Sequence, residues 1–233
     1  MSNVSSFQNK QAEHLPVILL LDTSWSMNGE KIDELNEAVK EMLEELRKSN
    51  TPNRKIDAAI ITFGNSGVKL HLDLTCVNDI SDSPYFKADG NTPMGGALKM
   101  AKSMIEDRNK IPSHYYRPLV VLLSDGMPTD DWEGIMHEFV NEGRSSKTQR
   151  ISMGIGGGEL EKPLKIFAGD KKCFTANEAK YIREFFSFIV MTVTTRSNSI
   201  DPDIIEDEDV DINEAISGNE YIDDDTNDDD FPL

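Results

Sequence analysis

Cysteine is nearly absent from these 233 residues: only Cys76 and Cys173 occur. Two isolated thiols give neither a metal-ligand spacing nor a disulfide framework, so they read as small apolar side chains in a reducing compartment. Long apolar runs are missing too. None approaches the ~20 residues that a membrane-spanning helix needs, which excludes that architecture. The first fourteen residues, Met1 to His14, are polar and lack the apolar centre of a signal peptide, so a cytoplasmic protein is expected. A basic stripe is also lacking. Clusters such as Lys171-Lys172 are short and isolated, and no nucleic-acid-binding surface is expected.

What is abundant is acid, and it is unevenly placed. The formal charge is -18, yet residues 198–233 alone hold 15 Asp and Glu with no Lys, Arg or His. The rest of the chain carries 27 acids against 24 bases and is close to neutral. An ordinary globular body with an acidic tail follows. The expected division is a flexible N-terminus over 1–14, one folded domain over 15–196 and a disordered acidic tail over 197–233.

Within the body, short apolar runs alternate with helical patterns. Leu15 to Leu21 is a continuous apolar run ending at Asp22, which suits a strand covered on both faces. After an Asn28-Gly29 turn, Ile32, Leu35, Val39, Met42, Leu43 and Leu46 form the apolar stripe of a helix over about 31–48. Further buried strands are expected over 56–63, 119–123, 151–155 and 172–175. Between 68 and 74, Val68, Leu70, Leu72 and Leu74 alternate with Lys69, His71 and Asp73, the mark of a half-exposed antiparallel strand at a sheet edge. Helices are expected over 93–107, with Thr92 as N-cap and Pro93 at the first position, and after Asp130-Asp131, which can cap the next one. Two more should cover 160–168 and 178–194. The fold class is α/β: a Rossmann-like, doubly wound, mostly parallel six-stranded sheet with one antiparallel edge strand and helices on both faces.

In such sheets ligands bind beyond the carboxyl ends of the strands, where the strand order reverses. Three polar clusters fall there. Asp22-Thr23-Ser24-Trp25-Ser26 places oxygen-bearing side chains at alternate positions, so Asp22, Ser24 and Ser26 can converge on one small ion. Thr92 adds a hydroxyl, and Asp125 adds a second carboxylate after the 119–123 strand. Hard oxygen donors without His or Cys suit Mg2+ or Mn2+. So sparse a set leaves a coordination position for an outside oxygen. Each residue also has an ordinary role open to it: Asp22 as a carboxylate held by loop amides, Ser24 and Ser26 as turn residues, Thr92 as a cap. Their coincidence at neighbouring strand ends favours the metal.

These residues resemble the metal-ion-dependent adhesion site of von Willebrand factor type A domains, over roughly residues 15–195. The phrases Leu-Leu-Leu-Asp-Thr-Ser at 19–24, Asn-Thr-Pro-Met-Gly-Gly-Ala-Leu at 91–98 and Ser-Asp-Gly-Met-Pro-Thr-Asp-Asp-Trp at 124–132 further resemble the bacterial TerY-like branch, linked to tellurium resistance and stress response. The resemblance implies that Ser24, Ser26 and Thr92 contact the metal directly or nearly so, and that Asp22 and Asp125 act directly or through water. It implies a protein partner whose carboxylate completes the shell, such as a kinase or phosphatase, in a stress-response or defence assembly. Many family members carry Gly where this chain has Trp25. That Trp is either an exposed anchor for a partner or a lid packed on the sheet rim.

Enzyme readings have less support. Asp22 also resembles the nucleophile of haloacid dehalogenase-like phosphohydrolases, the alternative function, but Ser24 stands where those enzymes place a second acid. Gly154-Ile155-Gly156-Gly157-Gly158 follows a strand without matching a dinucleotide or phosphate loop, and reads as a sharp turn. No catalytic residue is expected. The acidic tail is a solubilising segment or one that folds on a basic partner. A sharper expectation is that one of its carboxylates fills the open metal position.

Overall fold

A computed structural model of the chain describes residues 12–51, 53–64, 67–156 and 161–203. Among these, the chain runs β1 (Glu13–Thr23), α1 (Glu30–Ser49), β2 (Arg54–Gly64), β3 (Gly67–Cys76), α2 (Met94–Glu106), β4 (Leu119–Ser124), α3 (Glu133–Asn141), β5 (Gln149–Ile155), α4 (Glu161–Ala168), β6 (Cys173–Ala176) and α5 (Tyr181–Asn198). The strands form one sheet in the order β3-β2-β1-β4-β5-β6. Every pair is parallel except β2 with β3, so β3 is the antiparallel edge that its alternating pattern foretold.

The continuous apolar runs are explained by two cores, one on each face. Leu15, Val17, Leu19 and Leu21 of β1 face a core shared with the whole stripe of α1 and with Ile182, Phe185, Phe186 and Ile189 of α5. Ile18 and Leu20 face the other, against Leu98 and Ala101 of α2, Phe139 of α3 and Phe167 of α4. A strand pleat sends successive side chains to opposite faces, so a strand with two cores can afford no polar position. Fully burying each Leu or Ile contributes roughly 1.5–3 kcal/mol, and this central pair of cores keeps the strand ends rigid.

From β1 the chain crosses to β2 on one side and later returns to β4 on the other. The order therefore reverses between β1 and β4, whose carboxyl ends finish at Thr23 and Ser124. Gly64, at the end of β2, matters to this rim: a Cβ there would lie 2.5 Å from the Thr23 backbone oxygen. Only glycine lets β2 run so close beside β1 at this point.

Two capping expectations are corrected. Thr92 does not cap α2, which begins at Met94 with Pro93 before it and no capping bond from the residue at that position. Asp130 does not cap α3 either; Trp132 precedes that helix, again without a capping side chain. Instead the Asp130 carboxylate reaches across and accepts bonds from the Gly95 and Gly96 amides, at 3.0 and 2.8 Å. The first turn of α2 is thus satisfied by a residue 35 positions away. Gly95 leaves room for this: a Cβ there would lie 2.9 Å from the Asp131 carbonyl oxygen.

The last described residues turn back on the domain. Arg54 donates to the Ser197 and Ser199 carbonyls, and Arg117 donates its backbone N–H to the Asp203 carboxylate at 2.9 Å. Of the expected flexible N-terminus over 1–14, residues 1–11 lie outside the described residues, while Glu13 and His14 belong to β1. Of the expected acidic tail over 197–233, residues from 204 lie outside them, while Ser197 and Asn198 close α5. Among the described residues no helix is long and apolar enough to cross a membrane.

Candidate metal centre

β1 delivers Asp22 to the rim as a buried carboxylate with both oxygens engaged. Its Oδ1 accepts the Ser24 amide at 2.8 Å and its Oδ2 accepts the Ser124 hydroxyl at 2.5 Å. Burial pushes the Asp22 carboxyl up to about 6, with Asp125 adding to the effect while the bonds from Ser124 and Ser24 oppose it. A carboxylate held at this cost is a natural place for a cation to offset the desolvation.

After Thr23 the chain bends into a 3-10 turn over Trp25–Met27, with Met27 buried beneath it. The turn brings Ser24 Oγ and Ser26 Oγ to 3.0 Å, so the alternating hydroxyls do meet. Ser26 Oγ then donates to Asp125 Oδ1 at 2.6 Å, joining the ends of β1 and β4. Backbone bonds fix the third segment: Asp89 N donates to Thr23 O at 2.9 Å and Trp25 N to Gly90 O at 3.0 Å. Asn36 of α1 holds the segment from below, its side-chain oxygen accepting the Phe86 amide and its side-chain nitrogen donating to the Phe86 carbonyl.

This stitching carries Thr92 to the site. Its side chain is buried, its N–H donates to Thr129 Oγ1 at 3.1 Å, and its carbonyl accepts the Thr129 N–H at 2.9 Å. At Gly126 the convergence is visible: a Cβ there would lie 3.5 Å from Thr92 Oγ1 and 3.6 Å from Ser26 Oγ. The hydroxyls thus line a cradle kept open by the missing side chain. All five expected residues, Asp22, Ser24, Ser26, Thr92 and Asp125, sit at this rim.

The donors fit a hard divalent cation: three hydroxyls and two carboxylates, with no nitrogen or sulfur. Among the described residues no group of three His, Cys, Asp or Glu gathers as a metal site, so the hydroxyls are indispensable to this one. Trp25 is 65% exposed, so it does not lie packed on the rim. Met127, beside Gly126, is exposed as well.

Two contributors, Ser124 and Lys31, were given no role from the sequence, and a third, Asp130, was given the wrong one. Ser124 anchors Asp22, and Asp130 holds α2 against the 125–132 loop. Lys31 of α1 places its ammonium 2.5 Å from Asp125 Oδ2 and 3.4 Å from the Ser26 carbonyl oxygen. A signal existed only for Asp130: paired glycines at the start of a helix, Gly95-Gly96, mark the close approach of something else.

A family model described as von Willebrand factor type A domain matches residues 17–187. No curated protein gives a match. Solved structures share the fold at low identity. The mussel byssus proximal thread matrix protein 1 with a zinc-occupied MIDAS motif is similar at 19% identity and a TM-score of 0.60, over 78% of this chain and 46% of that one. The pilus adhesin SpaC of Lactobacillus rhamnosus GG is similar at 16% identity and 0.65, over 80% and 30%. The vWF domain of the type V pili tip protein Mfa5 from Porphyromonas gingivalis is similar at 12% and 0.58, over 81% and 98%. The chain thus spans less than half the length of the first two.

Proposed function

Because the chain belongs to the von Willebrand factor type A domain family, we propose that it is a metal-dependent protein–protein interaction module. The observation that carries this reading is the meeting of Ser24, Ser26 and Asp125, with Thr92 across the open space at Gly126 and Asp22 buried behind them. Mg2+ or Mn2+ suits the all-oxygen set. When bound, such an ion supplies a positive, incompletely closed coordination shell that an outside carboxylate oxygen can join.

The chain's own residues do the positioning. Asp22 and Ser124 lock the end of β1 to that of β4, and Ser26 bridges to Asp125. Trp25, between Ser24 and Ser26, and Met127, two residues after Asp125, offer exposed apolar area beside the site, where aromatics contribute most to binding. Ser24 stands two residues after Asp22, where the haloacid dehalogenase-like phosphohydrolases place a second acid, which disfavours the Mg2+-dependent phosphohydrolase alternative.

The finer setting rests on the TerY-like phrases at 19–24, 91–98 and 124–132. They support a bacterial stress-response or defence assembly, cytoplasmic, with a kinase or phosphatase as partner. Affinity capture with the tagged chain in Mg2+ and in EDTA tests the reading. A partner held in Mg2+, released by EDTA and lost with Asp22→Ala supports it. The same partners held under all three conditions would refute it. Mg2+-dependent phosphatase turnover lost in Asp22→Ala would install the alternative.

A further inference from the structure

At the pole opposite the metal centre, around the amino ends of β4 and β5, lies a cavity of about 230 Å³ whose lining is cationic. Arg117 enters it from just before β4, Lys147 from the 3-10 turn over Ser145–Lys147, and Arg150 from β5. Lys172 comes from the turn ahead of β6 and Arg196 from α5. Among the described residues no acidic side chain lines it. In a body whose acids and bases nearly balance, five cations on one concavity are not a solvated average surface.

Arg196 is the informative member. Only 2% of it is exposed, an unusual depth for a guanidinium. Its Nε donates to the Pro202 carbonyl at 3.1 Å and its Nη2 to the Arg117 carbonyl at 2.8 Å, but its Nη1 has no partner. Among the described residues one carboxylate lies near it, Asp203 Oδ1 at 3.4 Å, and that oxygen also accepts the Arg117 N–H. A buried cation with a single shared counter-charge and an orphan donor is an unsettled arrangement. Other arginines here are settled: Arg150 spends its Nε on Phe167 O at 2.7 Å and its Nη1 on the Ser146 and Thr148 carbonyls.

We propose that this cavity is an oxyanion-binding site, taking a phosphate group or a carboxylate cluster of equivalent charge. The volume admits a partly hydrated anion of that size, since liquid water occupies roughly 30 Å³ per molecule. Lys147, exposed at the mouth, supplies the attracting charge, and the Arg117 and Arg196 guanidiniums supply the planar donors that oxyanions favour. Asp203, already seated at the edge on both arginines, shows in miniature the chemistry recognised. It also shows one source: residues 204–233, which follow it directly, carry 13 Asp and Glu with no cation. The other source is a free phosphate. This site is independent of the metal reading, because β4 runs between them: Arg117 precedes it and Asp125 follows it, eight residues apart, or roughly 26 Å at ~3.3 Å per residue.

The test titrates the full chain, free of divalent metal, with inorganic phosphate at constant ionic strength, following backbone amide shifts by NMR. Saturable shifts at 117, 147–150 and 172, absent with chloride and weakened at least tenfold in Lys147→Glu, support the site. Shifts alike for phosphate and chloride, or unaltered affinity in Lys147→Glu, overturn it. A thermal melt matching the parent confirms that this surface variant is folded. A second full-length variant, Glu206→Gln, Asp207→Asn, Glu208→Gln and Asp209→Asn, separates the sources. Phosphate binding that tightens means the chain's own carboxylates compete for the cavity; unchanged binding means that the anion comes from outside.

Discussion

Lys31 Nζ lies 2.5 Å from Asp125 Oδ2, so an ammonium from α1 is paired with a carboxylate of the metal centre. The carboxylate is fully buried while the lysine side chain is about one-third exposed. The ammonium takes Oδ2 of Asp125 while the Ser26 hydroxyl takes Oδ1. It therefore repels an arriving cation and shares its ligand. Replacing it by methionine keeps the aliphatic stem and removes the charge. Lys31→Met is expected to tighten divalent metal binding about five- to tenfold, the equivalent of ~1 kcal/mol for such a pair. Calorimetric titration with Mg2+ measures it. Weaker binding in the variant would show that Lys31 organises Asp125 rather than competing for it.

Asp22 governs how the metal-free protein responds to pH. Its carboxyl is pushed from 3.8 to about 6, mainly by burial. A group whose acid form is favoured by folding contributes stability below its unfolded value, and that contribution is lost as pH rises through the folded value. The metal-free protein is therefore expected to gain stability from this group as pH falls from 7 towards 4. Asp22→Asn removes the ionisation, and the amide can still accept from the Ser24 N–H. The variant should be more stable than the parent at pH 7 in EDTA, by roughly 1–3 kcal/mol, and should lose its metal. Urea unfolding at pH 5 and pH 7 checks both signs. A variant less stable at pH 7 would mean that the carboxylate is held more by its hydrogen bonds than it is penalised by burial.

Asp130 joins two functions in one side chain. It satisfies the Gly95 and Gly96 amides, and it fixes the loop in which Thr129 pairs with Thr92. Asp130→Ala is expected to cost about 1–2 kcal/mol of stability, as for a lost helix cap. It should also weaken metal binding, because Thr92 loses its support. Unfolding and Mg2+ titration on one sample read both effects; a stability loss with unaltered metal affinity would separate Thr92 from this brace.

Trp25 offers a cleaner separation of metal from partner. Its side chain is exposed and its backbone alone ties the loop, through its N–H to Gly90. Trp25→Ala should leave metal affinity within about twofold and reduce partner affinity at least tenfold, as for an interface aromatic anchor. A partner bound at full strength removes Trp25 from the interface.

The fold was legible because β1, β2, β4 and β5 are buried on both faces while β3 is not, and that difference is written directly in residue order. Leu15 to Leu21 has no polar position; Val68 to Leu74 has every second one. The five rim residues were legible for a related reason, as they fall where those runs stop. What the sequence hid is contact between distant segments. Thr92 and Asp130 each look like the cap of the helix that follows them, by local rules. The structure instead uses Asp130 for the helix 35 residues earlier, and aims Thr92 into the site. Lys31 was hidden because its spacing on α1 places it on the polar face, where most lysines are solvated. Only the fold shows that this face of the first turn looks onto Asp125.

The most direct test of a metal centre built from Asp22, Ser24, Ser26, Thr92 and Asp125 is Mn2+ titration followed by electron paramagnetic resonance. The expected result is one saturable ion per chain, abolished by Asp22→Asn, whose bound water exchanges with an added carboxylate. Absence of saturable binding, or binding that survives Asp22→Asn unchanged, would contradict the account.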